Sequence, residues 1–133
     1  QVPPSDAPLR APGAPAPPPD ASHLAPDAGV EATDIVITKR QWGAFYGTEL
    51  DQLLRRRHIK TLILGGIVTN FGVESTARAA HDRGYALVFA EDAMSGITAE
   101  AHDFACKNTF RVMGKVRTTA ELIDALQAGT GEA

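Results

Sequence analysis

Cysteine is nearly missing from this sequence: of 133 residues only Cys106 carries a thiol. An internal disulfide is therefore excluded, and with it a disulfide-stapled scaffold. Excess positive charge is missing too. The net charge of −3 leaves no basic footprint for nucleic acid and no polybasic patch for an anionic membrane. No apolar run approaches the roughly 20 residues that span a bilayer, and no signal peptide is visible. These absences together favour a reducing, cytoplasmic setting. Proline is missing after residue 26, because all nine prolines lie within residues 1–26. Methionine is missing from the start: the chain opens on Gln1, and its methionines are Met94 and Met113. The expectation is a processed chain, a fragment, or a reading that lost its start.

What is present falls into three parts. Residues 1–30, rich in Pro, Ala and Asp, have too few large apolar groups to offset the entropy of ordering. They read as a loop or disordered arm; a proline-rich ligand for a partner is the alternative to a plain semi-rigid spacer. Residues 31–128 read as one α/β domain, and 129–133 (GTGEA) as a tail. Within the domain, DIVITK (34–39) is β-branched and reads as a strand. Thr48 and Asp51 resemble a helix N-terminus ahead of the stripe Leu50, Leu53 and Leu54. TLILGG (61–66) is apolar throughout, as a strand covered on both faces would be. A helix from Gly72 to Arg83 puts Val73, Ala77 and Ala80 on one face and pairs Glu74 with Arg78; Gly84 stops it. YALVFAED (85–92) is a second buried-type strand. A helix follows over 98–108, then another after a Thr118–Glu121 capping box. This alternation predicts a doubly wound, mostly parallel sheet with helices on both faces.

In such sheets ligands sit beyond the carboxyl ends of the strands. Three loops qualify: KRQWGAFYGT, GIVTNFG and EDAMSG. GIVTNFG is neither a dinucleotide fingerprint nor a P-loop, and its strand–turn–helix bears Gly72 where a nucleophile is expected. His23, His58, His81 and His102 lack metal-ligand spacing and read as structural. Cys106, in a helix beside Ala105, reads as a small core residue. Lys39, at the end of a predicted strand, points to the sheet's mouth.

TKRQWGAFYGTELDQLL, GGIVTNFGVESTARAAHDRGY and FAEDAMSG together resemble the isochorismatase-like, or cysteine hydrolase, family. The resemblance spans 34 to about 127. It implies a site of an aspartate at the end of a first strand, a lysine that falls on Lys39, and a cysteine whose position falls on Gly72 in T-N-F-G-V. It also implies a cis peptide between Ile67 and Val68, with the Val68 and Gly72 amides aimed at a developing oxyanion. Trp42, Phe45, Ile67, Asn70 and Phe71 are the further substrate-binding candidates; packing of the long loop is the other reading of the aromatics. Gly72 resembles the branch that hydrolyses a vinyl ether without a thiolate. Asp6, Asp20 and Asp27 do not follow an apolar strand, so the expectation is that the strand–helix–strand bearing the aspartate is absent. The resemblance implies a hydrolase acting on a small anionic molecule, with no cofactor and no metal, in a homo-oligomer. The alternative is a non-catalytic member acting as an interaction or oligomer subunit.

Overall fold

The computed structural model describes residues 5–7 and 10–129. The chain divides into two units, Gln1–Ile35 and Val36–Ala133. In the first, local turns are all that form among the described residues. The longest is a 3₁₀ turn, Pro26–Ala28, closed by Gly29 at φ 61°. None of these described residues is buried, as expected of a segment with so few large apolar groups. The tail expected from residue 129 lies, apart from Gly129, outside the described residues.

The second unit alternates helix and strand. Helix α1 spans Leu50–Arg56 and strand β1 Thr61–Ile67; a π turn, Thr69–Val73, opens helix α2 at Glu74–Asp82. Strand β2 spans Ala86–Ser95. Helix α3, Ala99–Phe104, continues through a π segment, Ala105–Thr109, into α4, Phe110–Met113. Strand β3, Gly114–Arg117, and helix α5, Thr119–Gln127, complete it. The strands are parallel, in the order β1-β2-β3, with Leu62 opposite Leu87 and Val88 opposite Lys115.

Side-chain alternation along β2 builds two cores. Leu87 and Phe89 face α2 and α4, where they meet Ala77, Ala80 and Phe110. Val88 and Ala90 face the other way and meet Leu122 of α5. Helices therefore cover both faces, as a doubly wound sheet requires. The rings of Phe89 and Phe110 lie parallel, 4.1 Å apart, and fully buried. Burying one such side chain contributes about 1.5–3 kcal/mol. Ala77 and Ala80, small enough to let α2 lie close to the sheet, are also fully buried.

Several local signals act as expected. Gly84 follows α2 at φ 83°, Thr118 and Glu121 form the capping box of α5, and Arg78 pairs with Glu74 at 3.2 Å. Four expectations need correction. Residues 34–39 form no strand and find no ladder partner; β propensity yields a strand only where neighbouring backbone completes the pairing. Thr48 does not cap α1: Glu49 occupies that place without a side-chain bond, although Thr48 Oγ1 accepts the Leu50 N–H at 3.3 Å. Residues 93–95, expected as loop beyond the strand 85–92, prolong β2, where Met94 and Ser95 pair with Gly66 and Ile67 past a bulge. Strand β3 was not expected at all, since GKVR is short and half charged. Pairing creates it, and Gly114 makes the pairing possible: a Cβ there would overlap the Leu87 carbonyl oxygen.

Candidate active site

The carboxyl end of β1 opens onto a cavity of about 330 Å³. Lys39, Phe45, Ile67, Gly72 and Thr76 are among the residues that line it. Lys39 is exposed, and its ammonium folds onto the aromatic loop, donating to the carbonyls of Gln41 at 3.1 Å and Trp42 at 2.8 Å. Gly72 lies directly beneath. A Cβ on Gly72 would stand 3.9 Å from Lys39 Nζ, 3.5 Å from the Ile67 carbonyl oxygen and 3.3 Å from the Trp42 carbonyl oxygen. Glycine thus keeps open the space beside the ammonium, and any side chain would press on the loop backbone. Ile67, at 78% exposed, forms an apolar lip. The peptide bond from Ile67 to Val68 is cis.

Thr76 locks the arrangement from below. One turn into α2, it donates to the Gly72 carbonyl at 2.8 Å and accepts the Ala44 N–H at 3.0 Å. The turn and the aromatic loop are therefore tied through one hydroxyl. Its place four residues after Gly72, on the same helical face, was the available signal, and sequence reasoning passed it over.

The candidates are not all gathered. Lys39, Phe45, Ile67 and Gly72 share the cavity. Phe45 is at the same time a core residue: it is buried, stacks on Tyr85 at 6.0 Å, and carries the Arg83 guanidinium 4.8 Å above its ring. The Trp42 indole packs on Phe71 at 4.8 Å with rings tilted by 57°; only its carbonyl meets Lys39 and the Gly72 position. Asn70 lines a different cavity of about 410 Å³, with Glu74, Thr98 and Phe104. Its Oδ1 is buried without a hydrogen-bond partner among the described residues. Thr69, which sequence reasoning also missed, is fully buried and bonded to His102.

Chemically, the first cavity offers a cation beside a glycine turn. Among its described lining residues there is no carboxylate, imidazole or thiol. It can hold an anionic group and admit a small reacting centre, but Lys39 is the one titratable group facing it. Cys106 lies elsewhere, in the core, where burial pushes its thiol up and the charges of Glu91 and Asp103 add to this. No group of three His, Cys, Asp or Glu side chains among the described residues is placed to hold a metal. No helix among them is long and apolar enough to cross a membrane.

Parallel strands wound with helices on both faces, and a lysine-and-glycine site at a strand's carboxyl end, define an open-sheet α/β protein. Residues 1–121 match the Isochorismatase domain, and the chain belongs to the isochorismatase family. It is 48% identical over 110 residues to the uncharacterized isochorismatase family protein YwoC of Bacillus subtilis, covering 83% of this chain and 58% of that one. It is 40% identical over 105 residues to the ureidoacrylate amidohydrolase RutB of an Enterobacter species, covering 78% of this chain and 44% of RutB. The solved structure of an isochorismatase family protein from Burkholderia thailandensis superposes with a TM-score of 0.81 at 45% identity, over 95% of this chain and 62% of that one. The chain thus spans about half the length of the curated relatives it matches.

Proposed function

We propose that the whole protein is an isochorismatase-family hydrolase acting on a small anionic metabolite without a cysteine nucleophile. One observation carries this reading: Lys39 Nζ stands 3.9 Å from where a Cβ of residue 72 would be, and residue 72 has no side chain. A cation is in place and the covalent nucleophile is not. Lys39 holds the anionic group of the substrate. The Val68 and Gly72 amides polarise an oxygen as charge develops on it. Trp42, Phe45, Ile67, Asn70 and Phe71 shape the surroundings. Hydrolysis of an enol ether fits this equipment. A carboxylic acid protonates the vinyl carbon, water adds to the resulting cation, and the C–O bond breaks to give a keto acid and an alcohol. The proton donor is a carboxylic acid beyond the residues lining this cavity. That family relatives include a protein named as an amidohydrolase supports hydrolysis as the reaction class; the glycine argues against the thioester route.

The test is a substrate panel of enol ethers and amides with anionic groups, assayed on the full-length protein. Lys39→Ala lowers kcat/KM by about 100-fold, the scale on which one electrostatic group at a reacting centre acts. Gly72→Ala, whose methyl enters the same space, lowers it by about tenfold. The second reading, a non-catalytic subunit of a homo-oligomer, draws on the lack of a carboxylate among the described residues that line the cavity. Activity that is unmoved by Lys39→Ala would favour it.

A further inference from the structure

A hydrogen-bonded chain outside the cavity runs from the turn into the core. Thr69 Oγ1 lies 2.8 Å from His102 Nδ1, and His102 Nε2 lies 3.6 Å from Cys106 Sγ. Thr69 begins the π turn that carries Asn70, Phe71 and Gly72, and it is the fully buried polar side chain of that region. His102 sits on α3, one helical turn before Cys106. The loop after β2 also closes on His102: a Cβ on Gly96 would come within 3.2 Å of His102 Cβ and of its backbone N. The segments leaving the carboxyl ends of β1 and β2 therefore meet at one histidine, the first at its ring and the second at its backbone and Cβ.

The chemistry of the three groups orients the chain. A neutral imidazole has one N–H donor and one bare nitrogen acceptor. Cys106 is buried among apolar groups and stays a thiol; its sulfur is only a weak acceptor, so an S–H donated to a bare Nε2, a strong acceptor, is the better match of the two senses. The imidazole proton is then on Nδ1 and is given to Thr69 Oγ1. We propose that His102 is a positioning residue for the site: held in its Nδ1–H form by the Cys106 thiol, it donates to Thr69 and fixes the Val68–Gly72 turn against α3. This rests on the reading of that turn as the site of reaction.

Two measurements on the full-length protein test it and separate its failure from failure of that reading. The first is long-range ¹H–¹⁵N NMR of histidine-labelled protein at neutral pH. His102 should show a protonated Nδ1 and a bare Nε2, and Cys106→Ala should shift it toward the Nε2–H form. A wild-type Nε2–H form overturns the proposal, whether or not any substrate is found. The second is kinetic. His102→Asn keeps a donor near the Nδ1 position, and His102→Gln moves it to the Nε2 position. His102→Gln should lower kcat by about tenfold with KM nearly unchanged, as expected when reacting groups are slightly misplaced, while His102→Asn stays near wild type. Equal losses in the two variants, or a loss in KM alone, overturn it. Thr69→Val, which keeps the shape and removes the hydroxyl, should repeat the His102→Gln loss, and the double variant should lose no more than either alone. Additive losses overturn it, and Thr69→Val serves by itself if the histidine variants do not fold.

Discussion

Strands β1 and β2 carry the same kind of sequence and meet different fates. TLILGG and ALVFA are both apolar runs of the type that two covered faces demand. In β2 that demand is met: Val88 is 3% exposed and Phe89 fully buried, each under a different helix layer. In β1 it is not. Ile63 is 46% exposed and Ile67 78%, and among the described residues β1 pairs with β2 alone. The pattern of a strand records how much burial it calls for, and its position in the sheet decides how much it receives. The candidate site lies at the end of the strand whose demand is unmet among the described residues, beside a sheet edge that none of them pairs.

The sharpest way to break this comparison is to truncate one residue from each strand. Phe89→Ala removes a ring stacked on Phe110 in a sealed core and should cost about 3–5 kcal/mol. Ile63→Ala, at a half-exposed place, should cost less than about 1 kcal/mol. Urea unfolding of the two variants measures both. Equal costs would mean that β1 is as well covered as β2.

The edge of β1 that no described residue pairs should act next. An unpaired apolar edge strand is a template for pairing with another chain, and the 133-residue chain alone should associate as its concentration rises. Ile63→Lys places a charge on that strand and should raise the half-association concentration by about tenfold, equivalent to ~1.4 kcal/mol. Sedimentation velocity over a concentration series measures it. A monomeric chain with one cooperative thermal transition would show that the edge is harmless.

A smaller effect sharpens the comparison from the β2 side. Helix α5 covers Val88 and Ala90 through Leu122, and its capping box anchors its first turn. Thr118→Ala should cost about 1 kcal/mol. Hydrogen exchange should rise in α5 and at the β2 amides beneath it while β1 stays unchanged. A uniform rise along both strands would mean that α5 does not act on β2 in particular.

Much of this arrangement was legible in the sequence. Apolar runs located β1 and β2, glycine and the capping box located helix ends, and the alternation gave the parallel sheet. What failed depended on partners distant in the chain. DIVITK has the composition of a strand but no ladder, whereas GKVR has a poor composition and gains one beside Leu87. The nearness of Lys39 to Gly72 was legible through the family resemblance. Thr69 and His102 were not, because 33 residues separate two groups that touch and neither belongs to a local pattern. Asn70 was read with its neighbours on the turn, but the winding of the π turn sends it to another cavity. Adjacent residues of a helical turn point about 100° apart, so sequence proximity did not mean a shared site.

The last tie between β2 and α5 is electrostatic and gives the smallest effect. Asp92, near the end of β2, accepts the Thr119 N–H at 2.7 Å and the Thr119 hydroxyl at 2.8 Å. These bonds, the hydroxyl's first and then the amide's, hold its carboxyl below the ordinary carboxylate range. A negative charge there also suits the N-terminus of α5. Because the folded state favours the ionised form, the contribution is fully present above the unfolded carboxyl pKa of about 3.9. It is lost as pH falls through the lower folded value, where both states bind the proton. Asp92 is exposed, so water and salt screen the interaction and the change should be slight. Asp92→Asn should lower the urea midpoint at pH 7, and the gap from wild type should narrow as pH falls below about 4. If the two curves stay parallel through that range, the charge of Asp92 contributes nothing, and β2 is set apart from β1 by packing alone.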